Sequence, residues 1–108
     1  MNKATIGKEY PPTGTFQVGR EAIINFARAA GDTNPLSLDV EAARAAGYRD
    51  LVAPPTFLTA AGQKFAADNP MFDPEVGLDY AQVVHAEMRF TLHRPVVAGD
   101  ELRATRRV

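Results

Sequence analysis

The segment after Pro54-Pro55 constrains the fold more than any other part of the sequence, because it predicts a helix that is apolar over most of its surface. Each proline biases the residue before it toward extended backbone, and Pro55 suits the first turn of a helix. The helix predicted from Thr56 to Ala67 carries apolar side chains at Phe57, Ala60, Ala61 and Phe65. Other structure must wrap such a helix, so we expect it to be the most buried helix of the chain.

Residues 84–92 show the clearest alternation in the sequence. The apolar positions are Val84, Ala86, Met88, Phe90 and Leu92, and the residues between them are polar or charged. This period of two predicts a long strand with one face in the core. After the Ala98-Gly99-Asp100 turn, Glu101 to Val108 is predicted to be a second strand antiparallel to it, and residues 15–18 are predicted to be a short strand.

Two further helices are indicated by their capping residues. The first runs from about Arg20 to Ala30 and is ended by Gly31. The second runs from Val40 to Ala46, with Asp39 as its N-cap and Gly47 after its last turn. Residues 68–79 are rich in Pro, Gly, Asp and Asn, which predicts a surface loop that acts as a lid or rim.

These strands do not cover the predicted central helix completely. We therefore expect the remaining strands to come from a partner chain or from a longer protein, so that the 108 residues form one C-terminally incomplete domain. An unpaired sheet edge promotes aggregation unless something covers it. This predicts an obligate oligomer or a longer native chain.

Composition excludes several classes of function. A net charge of −1, from 12 basic and 13 acidic residues, argues against a nucleic-acid or anionic-membrane partner. The absence of cysteine excludes a disulfide, a thiolate zinc site and a cysteine nucleophile. His85 and His93 lie too far apart along one strand face to share a metal ion, so no metal site is expected. The sequence has no signal-type segment and no membrane-spanning run, which predicts a cytoplasmic protein.

The stretch from Gly31 to Asp39 is the strongest functional motif. It reads Gly31-Asp32-Thr33-Asn34-Pro35-Leu36-Ser37-Leu38-Asp39. Together with Gly47-Tyr48, residues 51–57, residues 84–90 and residues 93–102, it resembles the MaoC-like dehydratases, in particular their N-terminal or non-catalytic halves. The similarity covers nearly the whole chain from Val18 to Leu102.

This resemblance implies an α+β hot-dog fold, in which an antiparallel sheet wraps a long central helix, here without its last strands. Two such units pair and bind an acyl thioester of coenzyme A or acyl carrier protein. The family adds water reversibly to a trans-2-enoyl thioester and gives the (3R)-hydroxyacyl thioester, without a cofactor. An aspartate and a histidine orient the water and transfer its proton, and a backbone amide near the start of the central helix polarises the thioester carbonyl.

The chain departs from the family pattern at both chemical positions. Asp32 matches the aspartate and Asn34-Pro35 match the turn, but Ser37 stands where the histidine belongs. A hydroxyl does not accept a proton near neutral pH. Pro54-Pro55 replaces a His-Gly pair, and proline has no N–H to donate. Thr56 is the first residue of the helix that retains one.

The leading hypothesis is therefore an acyl-thioester-binding, non-catalytic subunit or domain of an R-specific enoyl-thioester hydratase, with the catalytic pair supplied by a second hot-dog subunit or domain. Asp32 marks the degenerate catalytic site, and the predicted substrate-binding residues are Asn34, Ser37, Thr56, Phe57 and Phe72. An inert acyl-thioester-binding or assembly protein is the alternative. A stand-alone enzyme that uses Asp32 and another base is the third possibility.

Structural roles compete with each of these assignments. Asp32 and Asn34 are common turn residues, and Phe57 and Phe72 are either core residues or the lining of an acyl tunnel. Three arginines near the end of the sequence are either a solvated strand face or a surface for coenzyme A phosphates or an acidic carrier protein, namely Arg103, Arg106 and Arg107.

Overall fold

The computed structural model describes residues 1–63 and 69–108. Its α-helices are α1 (Arg20–Ala29), α2 (Val40–Ala45) and α3 (Phe57–Gln63). Its strands are β1 (Glu9–Tyr10), β2 (Phe16–Gln17), β3 (Glu101–Leu102) and β4 (Arg106–Arg107). Short 3₁₀ helices span Lys3–Thr5, Pro35–Ser37, Pro70–Phe72 and Tyr80–Gln82.

The two helices that frame the motif begin and end as their capping residues predict. α1 ends in a Schellman motif, because Gly31 donates to the Arg28 carbonyl at 3.1 Å and Asp32 donates to the Ala27 carbonyl at 2.8 Å. Gly31 adopts a φ of +70°, which is costly for a residue with a Cβ. At the start of α2, the Asp39 carboxylate accepts from the Glu41 amide at 2.9 Å. Both predictions are confirmed to within one residue.

The core forms where α3 packs against α1. Phe57 is 2% exposed, and its ring meets that of Phe26 edge-on at 5.7 Å and 85°. Ile23 and Leu51 are fully buried beside it. Burial of each large apolar side chain contributes roughly 1.5–3 kcal/mol. The apolar character predicted for this helix is confirmed at Phe57 and Ala61, whereas residues 64–67 of the prediction lie outside the described residues.

Two short antiparallel ladders join the beginning of the chain to its last residues. β2 pairs with β3, so that Phe16 lies opposite Leu102. β1 pairs with β4, so that Tyr10 lies opposite Arg106. The predicted short strand at 15–18 is confirmed, but the strand predicted from Glu101 to Val108 is divided in two, and its partners lie near the N-terminus.

The prediction of a core-facing strand at residues 84–92 is wrong. None of these residues belongs to a strand, and all of them are exposed. Val84 is 85% exposed, and Met88, Phe90 and Leu92 are 48%, 37% and 42% exposed. A strand requires a hydrogen-bonded neighbour, and the described part of the chain provides none here. The alternating pattern therefore corresponds to an exposed segment, residues 84–92, whose apolar side chains no other part of the described chain covers.

The segment before α3 is held against residues 96–98. Val52 and Val97 form an antiparallel bridge. The Ala53 amide donates to the Val96 carbonyl at 2.8 Å, and the Ala98 amide donates to the Leu51 carbonyl at 2.9 Å. These bonds place the residues that follow Val52 beside those that precede Val96.

The described part of the predicted surface loop, residues 69–79, is fixed against the N-terminal segment. The Asp73 carboxylate accepts from the Lys8 ammonium at 2.8 Å and from the Tyr10 hydroxyl at 2.6 Å. The Asn2 amide donates to the carbonyl of the buried Val76 at 2.8 Å. Residue 68 of the predicted loop lies outside the described residues.

Candidate functional site

Asp32 owes its position to the way α1 ends. The Schellman motif turns the chain at Gly31, and Asp32 follows with a half-buried side chain. Its Oδ1 accepts a hydrogen bond from the Asn34 amide at 2.9 Å, which forms an Asx turn. The carboxylate therefore stabilises its own turn through one oxygen.

The next residues continue this turn and attach it to the rest of the domain. The Asn34 side-chain oxygen caps the 3₁₀ helix Pro35–Ser37 by accepting from the Leu36 amide at 3.0 Å. Ser37 is buried, and its hydroxyl donates to the Val52 carbonyl at 2.6 Å. The Val52 amide donates in return to the Leu36 carbonyl at 2.8 Å. The turn and the segment before α3 thus form one hydrogen-bonded unit.

A cavity of about 360 Å³ lies between this unit and a third segment of the chain. The motif contributes Asp32, Asn34, Leu36 and Ser37. The other walls are residues 52–55 and residues 92–95. The structure therefore brings three of the predicted site residues, Asp32, Asn34 and Ser37, to one cavity together with Pro54-Pro55.

Ser37 does not supply acid–base chemistry in this cavity. Its hydroxyl proton is used in the short bond to the Val52 carbonyl, and a serine hydroxyl has no pKa near neutrality. The Asp32 carboxylate and the side-chain amide of Asn34 can bind a polar group or a water molecule. The motif turn itself lacks the imidazole that would exchange a proton with that group.

Two prolines form the cavity wall at the start of α3. Pro54 and Pro55 line the cavity, and neither has a backbone N–H. The Pro54 carbonyl accepts from the Phe57 amide at 2.9 Å, which begins the helix. Thr56 is exposed and is not among the described residues that line the cavity.

The two aromatic residues predicted to bind an acyl chain lie elsewhere. Phe57 packs in the core between Phe16 and Phe26, with ring centroids 6.5 and 5.7 Å away. Phe72 is exposed and lies against Tyr80 at 5.4 Å. Neither is among the described residues that line the cavity, and their contact with an acyl chain stays a prediction.

The third wall adds two residues that the sequence did not place in the site, His93 and Arg94. The alternating pattern assigned His93 to the polar face of a strand. Its position in the cavity depends on the hydrogen bond between Ala53 and Val96, which are far apart in the sequence. The sequence signal that pointed here was the His93-Arg94-Pro95 tripeptide, which is part of the family resemblance.

A buried carboxylate holds Arg94. The Asp100 side chain is 5% exposed, and its Oδ2 accepts from Arg94 Nη1 at 2.8 Å and from the Val97 amide at 2.9 Å. Its Oδ1 accepts from Arg49 Nη2 at 2.9 Å. The Arg94 guanidinium, together with the Val97 amide, holds the pKa of Asp100 below its ordinary value despite burial. Asp100 is therefore ionised at neutral pH and fixes the guanidinium of Arg94.

The predicted basic cluster at the end of the sequence faces a different hollow. Arg106 and Arg107 line a depression of about 300 Å³ together with Tyr10 and Pro12. Arg106 Nη2 donates to the Gly62 carbonyl at 3.3 Å. The two hollows share no lining residue among those described.

The described residues, 1–63 and 69–108, contain neither a metal-type cluster of side chains nor a membrane-spanning helix. No group of three or more His, Cys, Asp or Glu side chains in that part of the chain is arranged to hold a metal ion. No helix within it is long and apolar enough to cross a membrane.

Comparison with known sequences gives a consistent result. The family model described as "FAS1-like, dehydratase domain region" matches residues 4–108. A UPF0336 protein from Parafrankia sp. (strain EAN1pec) is 60% identical over 104 residues, which cover 94% of this chain and 67% of the relative. A UPF0336 protein from Saccharopolyspora erythraea is 52% identical, and the match covers 95% of this chain and 65% of the relative. The chain thus spans about two thirds of the length of these relatives.

Solved structures support the fold prediction. A C-terminally truncated HadBC (3R-hydroxyacyl-ACP dehydratase) complex from Mycobacterium tuberculosis matches with a TM-score of 0.79 and 36% identity, over 97% of this chain and 76% of that chain. A protein described as a MaoC-like dehydratase matches with a TM-score of 0.75 and 33% identity, over 98% of this chain and 34% of that chain. The predicted α+β hot-dog class and the MaoC-like resemblance are both confirmed.

Proposed function

The chain belongs to the FAS1-like dehydratase family, and from this we propose that it is an acyl-thioester-binding, non-catalytic hot-dog unit of an R-specific enoyl-thioester hydratase, equivalently a (3R)-hydroxyacyl-thioester dehydratase. The thioester is one of coenzyme A or of acyl carrier protein. A second hot-dog subunit or domain supplies the aspartate and histidine that perform the hydration.

One observation carries this proposal. Ser37 occupies the position of the expected histidine, and its buried hydroxyl donates to the Val52 carbonyl at 2.6 Å. General acid–base hydration needs a group that both accepts and returns a proton near neutral pH. A serine in this bond does neither, so the motif turn retains its fold while lacking half of the catalytic pair.

Two features support ligand binding over a purely structural role. The motif turn borders a cavity of about 360 Å³, which falls within the range usual for small-ligand sites. The polar lining residues are Asp32, Asn34, Ser37, His93 and Arg94, and the remaining lining is apolar, namely Leu36, Val52, Ala53, Leu92 and three prolines. An apolar wall with a few polar groups suits an acyl chain joined to a polar thioester.

A partner subunit is favoured by the nature of a solved neighbour. The HadBC structure is described as a complex with 3R-hydroxyacyl-ACP dehydratase activity, and its matched chain is similar to this one over 97% of the present residues. The uncovered apolar side chains of residues 84–92 are consistent with a protein that functions in an assembly.

The test is enoyl-thioester hydration by the purified protein, alone and mixed with a hot-dog subunit that carries both the aspartate and the histidine. We expect no turnover from the protein alone, and turnover in the mixture above that of the partner by itself. An inert binding or assembly protein would bind acyl thioesters without increasing the activity of any such partner. Clear turnover by the protein alone would contradict the proposal.

A stand-alone hydratase is a second candidate because of one observation. His93 lines the same cavity as Asp32, on the wall formed by residues 92–95. An imidazole is the side chain best suited to exchange protons near neutral pH. Replacement of His93 by Gln tests this function, since it would abolish any turnover that the isolated protein shows.

A further inference from the structure

Two walls of the cavity offer no backbone amide to a ligand. The amides of the lining residues in the motif turn and of Val52 and Ala53 are already used, and Pro54 and Pro55 have none. The bonds run from Asp32 to the Ala27 carbonyl, from Asn34 to Asp32 Oδ1, from Leu36 to Asn34 Oδ1, from Ser37 to the Asn34 carbonyl, from Val52 to the Leu36 carbonyl and from Ala53 to the Val96 carbonyl. A carbonyl group of a ligand therefore has to find its donor among side chains or on the wall formed by residues 92–95, since an unpaired carbonyl is costly to bury.

Arg94 is the cationic donor on that wall. Its Nη1 donates to Asp100 Oδ2 at 2.8 Å and to the Pro95 carbonyl at 3.1 Å, which uses both hydrogens of this nitrogen. Nε and Nη2 carry the other hydrogens of the guanidinium, and they have no acceptor within the described residues. The side chain is 67% exposed, so a ligand can reach it.

The charges beside the cavity balance one another. Arg94 lines the cavity together with Asp32. The buried Asp100 carboxylate is shared between Arg94 and Arg49, whose Nη2 donates to Asp100 Oδ1 at 2.9 Å. Two guanidinium groups thus accompany two carboxylates, and an anionic ligand gains little net attraction. A neutral carbonyl still gains a charge-assisted hydrogen bond, which is roughly twice as strong as one between neutral groups.

Arg94 differs from the other side-chain donors of the cavity in the way it is held. The Ser37 hydroxyl is used in its bond to the Val52 carbonyl. Asn34 Nδ2 belongs to a neutral amide, and the His93 ring forms no hydrogen bond within the described residues that would fix it. Arg94 is both charged and anchored by a carboxylate that is 5% exposed, so it loses less conformational entropy when it binds an external acceptor.

We propose that Arg94 binds the carbonyl oxygen of an acyl thioester held in this cavity, in the role that the family resemblance gives to a backbone amide near the start of the central helix. The inference rests on the proposed function and deepens it by naming the residue that fixes the polar end of the ligand. Pro54 and Pro55 cannot donate, and Arg94 supplies donors from another wall of the same cavity. Asp100 is a positioning residue, because it acts on the ligand through Arg94.

Arg49 provides the matched control. Its side chain is 66% exposed, it donates to the same carboxylate as Arg94, and it is not among the described residues that line the cavity. Arg94→Met and Arg49→Met each remove one charge and one donor to Asp100, and the Val97 amide still donates to that carboxylate. The ligands to compare are an acyl-pantetheine thioester, the corresponding alkyl-pantetheine thioether, which lacks the carbonyl oxygen, and the free carboxylic acid of the same chain.

We expect Arg94→Met to weaken binding of the thioester about tenfold, because a hydrogen bond from a charged donor is lost, and to leave binding of the thioether within about twofold. Arg49→Met should leave the binding of both ligands within about twofold, because this side chain does not line the cavity. The infrared carbonyl band of an isotope-labelled thioester should lie at lower frequency in the unaltered protein than in Arg94→Met, because the guanidinium polarises the carbonyl.

Each other outcome overturns the assignment of Arg94. Equal weakening of thioester and thioether by Arg94→Met would mean that this side chain shapes the cavity without binding the carbonyl, and so would equal effects of Arg94→Met and Arg49→Met. A greater loss for the carboxylic acid than for the thioester would assign Arg94 to an anion. A bound carbonyl band that matches the free ligand in an apolar solvent overturns the proposal without any variant. If the unaltered protein binds neither the thioester nor the thioether, the proposed function fails as well.

Discussion

The hydroxyl of Ser37 donates a 2.6 Å hydrogen bond to the carbonyl oxygen of Val52. The Val52 amide donates to the Leu36 carbonyl at 2.8 Å, so that two bonds join the motif turn to the segment before α3. The residue that departs from the dehydratase motif is therefore the one that connects two walls of the cavity.

Replacement of Ser37 by Ala should lower the free energy of unfolding by about 1 kcal/mol, because it removes a part-buried hydrogen bond and leaves the Val52 carbonyl without this donor. Urea denaturation measures the change. Thr33→Ala is the matched control, since Thr33 is an exposed residue of the same turn, and its effect should stay within about 0.5 kcal/mol. Equal effects of the two substitutions would contradict a structural role for the Ser37 hydroxyl.

Replacement of Asp32 by Asn should leave hydration by the mixed subunits within about twofold of the unaltered mixture, because the proposed function assigns the proton transfers to the partner. The amide oxygen of Asn can still accept from the Asn34 amide, so the turn is retained. Initial rates with an enoyl thioester measure the effect. A loss of about 10²-fold or more would instead assign Asp32 a role in proton transfer.

The stability of the protein should fall as the pH is lowered below 4, in part because of Asp50. The Arg20 guanidinium and the Leu51 amide lower the pKa of Asp50 from 3.8 to about 2. A carboxylate whose pKa is lower in the folded state stabilises that state above its unfolded pKa, and the contribution is lost as the pH falls through the folded pKa. Asp50→Asn should therefore destabilise the protein at pH 6 and make little difference near pH 2.

Thermal unfolding between pH 6 and pH 2 checks this prediction. Glu9→Gln is a suitable control, because Glu9 is exposed and forms no ion pair within the described part of the chain. A constant difference between Asp50→Asn and the unaltered protein over the whole pH range would show that the ion pair with Arg20 does not contribute.

The apolar side chains of residues 84–92 should dominate self-association of the isolated protein. Val84→Ser/Phe90→Ser removes two exposed apolar groups from this segment, and Ile6→Ser/Phe72→Ser removes two from other places. We expect the first pair to reduce anilinonaphthalene sulfonate fluorescence and sedimentation of large species at least about twofold more than the second, because contiguous apolar surface drives association. The opposite order would show that another surface is responsible.

Local chemistry explains which parts of the fold were predictable. Asp39 and Gly47 bound α2, and Gly31 ends α1, because capping bonds and positive φ angles act between residues that are close in sequence. Residues 84–92 were misassigned for the opposite reason. Alternating apolar residues indicate that a segment is able to form a strand. A strand also needs a hydrogen-bonded neighbouring strand, and the sequence does not show whether one is present.

The sequence predicted the wall of the candidate site that the motif forms, but not the wall formed by residues 92–95. Asp32, Asn34 and Ser37 lie within six residues of one another. The resemblance of this stretch to a known motif predicted that they share one site. His93 and Arg94 reach the cavity through hydrogen bonds between residues 51–53 and residues 96–98, which no local pattern encodes. The Phe57 side chain was ambiguous from sequence, because an aromatic residue after Pro54-Pro55 suits either a core or a tunnel.

Leu92 belongs both to the uncovered apolar segment and to the cavity wall. A subunit that covers this segment would therefore act on the same wall that a ligand touches. The two binding events would then be thermodynamically linked, so that any factor by which the partner changes ligand affinity is the factor by which the ligand changes partner affinity. Binding of an acyl ligand that strengthens the assembly would in this way shift the oligomeric state.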